Sequence, residues 1–221
     1  MKKLLLWSLL LATAVGFTAC STSQLSSSWA AKNAPETKFK KILILGMMSK
    51  KNLGVKSKME AELVKDLSKY GQTAVAATAE YAPNTFSKMN ESEALEKFNN
   101  EGYDGVMTIT LVDKDKQNRF MPGGGWGPGF YPYYGSFWGY YSYYSPWAWG
   151  PGWGGGYGYG GGTYTTTNYI FETNLYDVTA NNTLLYSAQS TSFDPSSANN
   201  LATDYARTIV KDLLAKGFIN K

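Results

Sequence analysis

The chain has no histidine and only one cysteine in 221 residues. Without histidine, the usual general base near neutral pH and the commonest metal ligand are both missing. A single thiol cannot form an intrachain disulfide, and zinc sites of the Cys/His type are excluded. Charge is sparse too: charged residues make up 17% of the chain and the formal net charge is only +4. That is not the concentrated basic footprint of a nucleic-acid binder, so no nucleic acid is expected as a partner. Nothing in the composition implies a cofactor or a metal. Long apolar runs are also absent. The longest, Leu4 to Val15, is shorter than the roughly 20 residues a membrane-spanning helix needs.

What the amino terminus does have is the layout of a secretion signal. Lys2 and Lys3 form a charged n-region, Leu4 to Val15 an apolar h-region, and small residues precede Cys20. The tetrapeptide Phe17-Thr18-Ala19-Cys20 resembles a bacterial lipobox, with Phe17 where Leu or Val is usual. That resemblance implies cleavage of residues 1–19, a diacylglycerol on the Cys20 thiol, and a further acyl chain such as palmitate on the new amino group. A lipoprotein of this kind is held at the membrane without spanning it, since each buried methylene contributes about 0.8 kcal/mol. The alternative is an ordinary secretion signal that happens to end beside a cysteine. Ser21 follows Cys20; in the enterobacterial sorting pattern an acidic residue there retains a lipoprotein at the inner membrane, so Ser21 implies an outer-membrane protein facing the periplasm.

Residues 20–38 are rich in serine and weakly apolar, and read as a lipidated, flexible tether. An α/β domain is expected over 39–220. Ile42-Leu43-Ile44-Leu45 is bounded by lysines and Gly46, the pattern of a central strand buried on both faces. From Asn52 to Tyr70, Val55, Met59, Leu63 and Leu67 recur every four residues, with Lys56, Lys58, Glu60, Glu62, Lys65 and Asp66 on other faces. This predicts an amphipathic helix closed by Gly71. A strand over Thr73–Thr78 follows, then a helix capped by Asn90, carrying Leu95 and Phe98 inward and ending at Gly102. Asp104 to Val112 alternates with a period of two, the mark of a strand. Tyr169–Asp177 and Leu184–Thr191 should pair as an antiparallel hairpin across Ala180-Asn181-Asn182. A last helix is expected, capped by Asp194, with Leu201, Tyr205, Ile209 and Leu213 inward and Gly217 at its end. The fold class is α/β: a mixed sheet of about five strands, β-α-β-α-β followed by the hairpin and a C-terminal helix.

The domain is interrupted at 120–165 by a low-complexity insertion rich in Gly, Tyr and Trp. Between Arg119 and Glu172 lie 52 residues without a charge, and residues 123–162 hold 16 of the 23 glycines together with 16 aromatics. With almost no aliphatic side chains the segment cannot build a close-packed core of its own, and its glycines raise the entropic cost of order. Three readings stand open: a loosely collapsed loop, a surface facing headgroups or glycan through amphipathic Tyr and Trp rings, and self-association or capture of a partner. The candidate contact residues are Trp126, Tyr133, Trp138, Tyr141, Trp147, Trp149 and Trp153.

Ligands of open α/β sheets sit beyond the carboxyl ends of the parallel strands. Here those ends carry Ser49-Lys50-Lys51, Glu80-Tyr81-Ala82-Pro83 and Asp113-Lys114-Asp115-Lys116. The Gly46 to Gly54 spacing is too long for a Walker loop. Asp113 and Asp115 share a strand face but are interleaved with lysines, an exposed charge ladder. Ser49 with Lys50, or Ser57 with Lys58, are adjacent residues that point apart. No catalytic residue is assigned and the chain is read as non-enzymatic.

Phe39-Lys40-Lys41-Ile42-Leu43-Ile44-Leu45-Gly46, Glu101-Gly102-Tyr103-Asp104-Gly105-Val106 and Glu172-Thr173-Asn174-Leu175-Tyr176-Asp177 resemble a group of uncharacterised bacterial lipoproteins. Their α/β module is similar to those of the peptidoglycan-synthase activator LpoB, the TolB amino-terminal domain and the curli secretion lipoprotein CsgG. The resemblance implies a cell-envelope binding or assembly module whose partners are the membrane through acylated Cys20, an envelope protein, peptidoglycan or a second copy. The alternative is a cell-wall-active hydrolase or transferase that uses the aromatic residues as a glycan platform.

Overall fold

The computed structural model describes residues 22–32, 39–82, 85–86, 89–116, 137, 167–179 and 182–220. Six strands form one mixed sheet: β1 (Ser23–Ala30), β2 (Ile42–Met47), β3 (Ala74–Ala76), β4 (Gly105–Lys116), β5 (Thr167–Asp177) and β6 (Thr183–Phe193), in the order β1-β6-β5-β4-β2-β3. The helices are α1 (Leu53–Ser68), a single turn α2 (Ala77–Glu80), α3 (Glu91–Asn100) and α4 (Ala198–Ala215). β2 runs parallel to both β3 and β4, whereas β4, β5, β6 and β1 pair antiparallel. The sheet thus has six strands rather than five.

The extra strand is β1, which falls within the residues expected to be a flexible tether. It is polar because it lies at the sheet edge and gains its place through ladder pairing with β6, from Ser23 opposite Ser192 to Ala30 opposite Tyr186. Serine side chains and a register shift between Leu25 and Ser27 suit an edge, where a flat apolar strand would invite aggregation. The opposite edge, β3, is only three residues long.

Both faces of the sheet are covered. On the first, Ile42, Ile44, Met107, Ile109, Phe171 and Leu175 meet Met59, Leu63 and Leu67 of α1 and Leu201, Tyr205, Ile209 and Leu213 of α4. On the second, Leu43, Leu45, Val106, Tyr176 and Leu184 meet Ala94 and Phe98 of α3, with Phe86 and Phe137 beside them. Every residue of β2 is buried, as its unbroken apolar run requires.

The helix ends follow the glycines. Gly71, Gly102 and Gly217 all have positive φ, and at each the following amide reaches back five residues: Gln72 to Leu67, Tyr103 to Phe98 and Phe218 to Leu213. At the start of α3, Asn90 accepts from the Glu93 amide while the Glu93 carboxylate accepts from the Asn90 amide. The cap of α4 is Ser197, accepting from the Asn200 amide, and not Asp194. Asp194 is claimed by the ladder instead: its amide donates to Thr167, its carboxylate accepts from the Thr167 amide at 3.3 Å, and its φ is +39°.

α1 is fastened to the sheet by a carboxylate. Glu60, which the helical pattern places among the outward charges, is fully buried, as is most of Asp66. Glu60 accepts from the Gly46 amide at 2.7 Å, the Thr78 amide at 2.7 Å and the Thr78 hydroxyl at 2.5 Å. Lys56 stands 3.8 Å away. A Cβ on Gly46 would lie 2.7 Å from the Lys56 side chain and 3.0 Å from the Glu60 carboxylate, so only glycine permits this approach. The same contact explains why the expected strand over Thr73–Thr78 stops at Ala76: the Thr78 amide bonds to Glu60 rather than to a strand.

Burial raises the Glu60 pKa above its ordinary 4.5, opposed by Thr78, Lys56 and the Gly46 amide. Burial likewise lowers the pKa of Lys56, opposed by Glu60. For Glu60 the folded value exceeds the unfolded one, so its stabilising contribution is full below the unfolded value and declines as pH rises through the folded value. Glu60→Gln removes one acceptor and should cost about 1–3 kcal/mol. Chemical denaturation at a series of pH values should show this cost shrinking as the pH rises from the unfolded glutamate value past the raised folded one; a cost independent of pH would contradict the assignment.

Candidate functional site

The residues proposed from the sequence as contacts, Trp126, Tyr133, Trp138, Tyr141, Trp147, Trp149 and Trp153, and the lipidation candidate Cys20, lie outside the described residues. What the structure does show is where their segments join the body. Lys116 at the end of β4 faces Thr167 at the start of β5, and Asn168 faces Phe193 at the end of β6. Ser192 in turn faces Ser23 at the start of β1. Both roots of the aromatic insertion and the root of the amino-terminal segment therefore lie at one end of the sheet.

That end is tied firmly where the amino-terminal segment enters. The Thr22 amide and hydroxyl both donate to the Asp204 carboxylate of α4 at 2.9 Å. The Thr22 carbonyl accepts from the Phe193 amide at 2.8 Å. Thr208 donates to the Ser23 carbonyl at 3.2 Å, and the hydroxyls of Ser23 and Ser192 are bonded across the ladder.

Phe137, near the middle of the insertion, lies at the opposite end. Its ring packs 5.5 Å from Phe98 and 5.9 Å from Tyr176, and its amide donates to the Asn182 side chain at 3.2 Å. Asn182, in the turn between β5 and β6, adopts φ +55°, a region Asn tolerates better than most residues. It also donates to Glu91 at the start of α3. The sequence offers no means of distinguishing Phe137 from its 15 aromatic neighbours in residues 123–162.

Between the two ends, the second face of the sheet carries a buried polar row. Thr108 faces Asn174, and Asn174 faces Ser187; all three are at most 1% exposed. The Asn174 amide donates to Glu172 at 3.0 Å. The Thr108 hydroxyl and the Asn174 carbonyl have no hydrogen-bond partner among the described residues. Such groups cost about 1–3 kcal/mol each when buried unpaired.

The carboxyl ends of the parallel strands are engaged internally. Ser49 accepts from the Asn52 side chain at 3.2 Å, and Ser57 donates to the Gly54 carbonyl. Tyr81 donates to Glu101, which also accepts from Lys97 at 2.5 Å; burial and then Glu101 hold the Tyr81 hydroxyl protonated far above its usual range. Asp113 accepts from the Lys114 amide at 2.7 Å, and the Lys114 ammonium sits 4.8 Å above the Tyr169 ring. The Asp115 side chain lies outside the described residues. Among the described residues there is no group of three His, Cys, Asp or Glu that could hold a metal, and no helix long and apolar enough to cross a membrane.

No family model matches the chain and no curated protein matches it. Among solved structures it is similar to the PelC dodecamer from Paraburkholderia phytofirmans, at 12% identity over 90% of this chain and 98% of that one, with a TM-score of 0.43. A second crystal form, of a PelC variant, gives 12% identity, coverage of 85% and 94%, and a TM-score of 0.42. Lipoprotein GNA1162 from Neisseria meningitidis is similar at 15% identity over 79% of this chain and 98% of that one, with a TM-score of 0.39. Identities and TM-scores this low assign neither a family nor an activity.

Phe137→Ala should lower the unfolding free energy by about 3 kcal/mol, since a buried ring leaves a cavity, as measured by urea denaturation. Thr108→Val keeps the shape and deletes an unpaired hydroxyl, so it should raise stability by about 1 kcal/mol. A loss instead would mean that the hydroxyl is satisfied by a group outside the described residues.

Proposed function

We propose that this protein is a lipid-anchored module of the bacterial cell envelope, acylated at Cys20, that binds or assembles without catalysis. The observation that carries the reading is the common root: a segment rich in aromatics and free of charge after Arg119 leaves and re-enters the sheet at facing residues, Lys116 and Thr167, at the end where the chain enters from Cys20. Tyr and Trp rings suit surfaces that are apolar in one part and wet in another, such as headgroups, glycan or another envelope protein. Trp126, Tyr133, Trp138, Tyr141, Trp147, Trp149 and Trp153 are the contact residues of this reading. Ser21, which is not acidic, favours the outer membrane. The non-catalytic assignment draws support from the engagement of Glu60, Tyr81, Glu101 and Ser57 in contacts within the fold.

In cells, the wild type should incorporate a palmitate analogue and sediment with the outer membrane, whereas Cys20→Ser should incorporate none and be recovered in the soluble fraction. Recovery of the wild type in the soluble fraction would refute the anchor. A photo-crosslinking residue at Trp138 should capture one discrete envelope partner or a ladder of self-adducts. Release of muropeptides from purified peptidoglycan by the full chain would refute the non-catalytic assignment.

A further inference from the structure

We infer that the end of the sheet formed by the start of β1, the end of β4, the start of β5 and the end of β6 is held directly against the lipid bilayer, with no spacer between anchor and body. The inference rests on acylation of Cys20 as proposed above. Thr22 is already part of the fold, fixed through its amide and hydroxyl to Asp204 and through its carbonyl to Phe193. Only Ser21 separates it from Cys20. Two residues span at most about 7 Å even when fully extended, no more than about the thickness of one headgroup layer.

The residues at this end suit that neighbour. Val112 is 41% exposed and Phe193 is 39% exposed, two of the four large hydrophobic side chains the described structure leaves open to solvent. Close to them, Lys114 lies over the Tyr169 ring, and ammonium and phenol are both at home among headgroups. The aromatic insertion is rooted here as well, at Lys116 and Thr167. The other end of the sheet, with Lys40 and Asp104, stands away from the bilayer by the length of β4. Twelve residues at about 3.3 Å each make that roughly 40 Å.

The test uses the full-length, lipidated protein reconstituted into vesicles of phosphatidylethanolamine and phosphatidylglycerol that carry a nitroxide-headgroup quencher. Because acylation consumes Cys20, one introduced cysteine can be labelled with a fluorophore: Phe193→Cys or Val112→Cys at the near end, and Lys40→Cys at the far end. Quenching severalfold stronger at both near positions than at Lys40 is expected. A flexible insert of about 20 residues between Ser21 and Thr22 should abolish the difference while the protein still sediments with the vesicles. Equal quenching at the two ends of the uninterrupted protein, or a difference that survives the insert, would overturn the inference while leaving the anchor intact. Failure of the wild type to acquire lipid would instead remove the proposed function and this inference with it.

Discussion

Everything in this fold depends on covering both faces of one sheet. β2 is apolar at every position that points up and every position that points down, so neither face can be left to water. The first face is met by two full helices, α1 and α4, whose apolar stripes run the length of the contact. Among the described residues the second has one full helix, the ten-residue α3, with Ala77 of α2 and the isolated rings of Phe86, Tyr103 and Phe137 in the same cluster. This asymmetry gives the long insertion a structural part whatever it binds. Its Phe137 ring is part of the core on this face, and the interlock of Phe137, Asn182 and Glu91 joins insertion, hairpin turn and helix start in a single knot.

The polar row of Thr108, Asn174 and Ser187 is the other side of that asymmetry. Where α3 lies over the sheet, the strand residues are Val106, Tyr176 and Leu184; one step along the strands they become hydroxyls and amides, still buried. An apolar helix laid over this row would strand its hydrogen-bonding groups. The face is thus divided into an apolar half matched to α3 and a polar half with a different requirement, and the division runs across the strands, from β4 through β6.

Much of the architecture was legible in the sequence because it is written in strong local signals. The run at Ile42–Leu45, the four-residue recurrence in α1 and α4, and the period of two in β4 each arise from burial on a defined face. Glycines that end helices are equally plain, since the left-handed turn penalises other residues. The parts that escaped are those settled by tertiary partners. β1 looks like a solvated linker because an edge strand can be held by backbone pairing and serine hydroxyls. Glu60 looks like a surface charge because its helical position is next to the apolar stripe, and only the approach of Gly46 and Thr78 turns it inward. Asp194 looks like a helix cap but is spent on the ladder. The candidate contacts in the aromatic segment rest on ring type alone, a criterion that cannot rank one tyrosine or tryptophan above another.

The docking of β1 also sets an order of events in folding. Ser23 pairs with Ser192, 169 positions downstream, so the partner of the first strand is synthesised only near the end of the chain. Until then β1 has no ladder to join, and contacts so distant in sequence form late. When β6 arrives, Ser23 to Ala30 are drawn into the sheet and Thr22 is fixed to Asp204 beside them, so this edge of the fold is the last part to close.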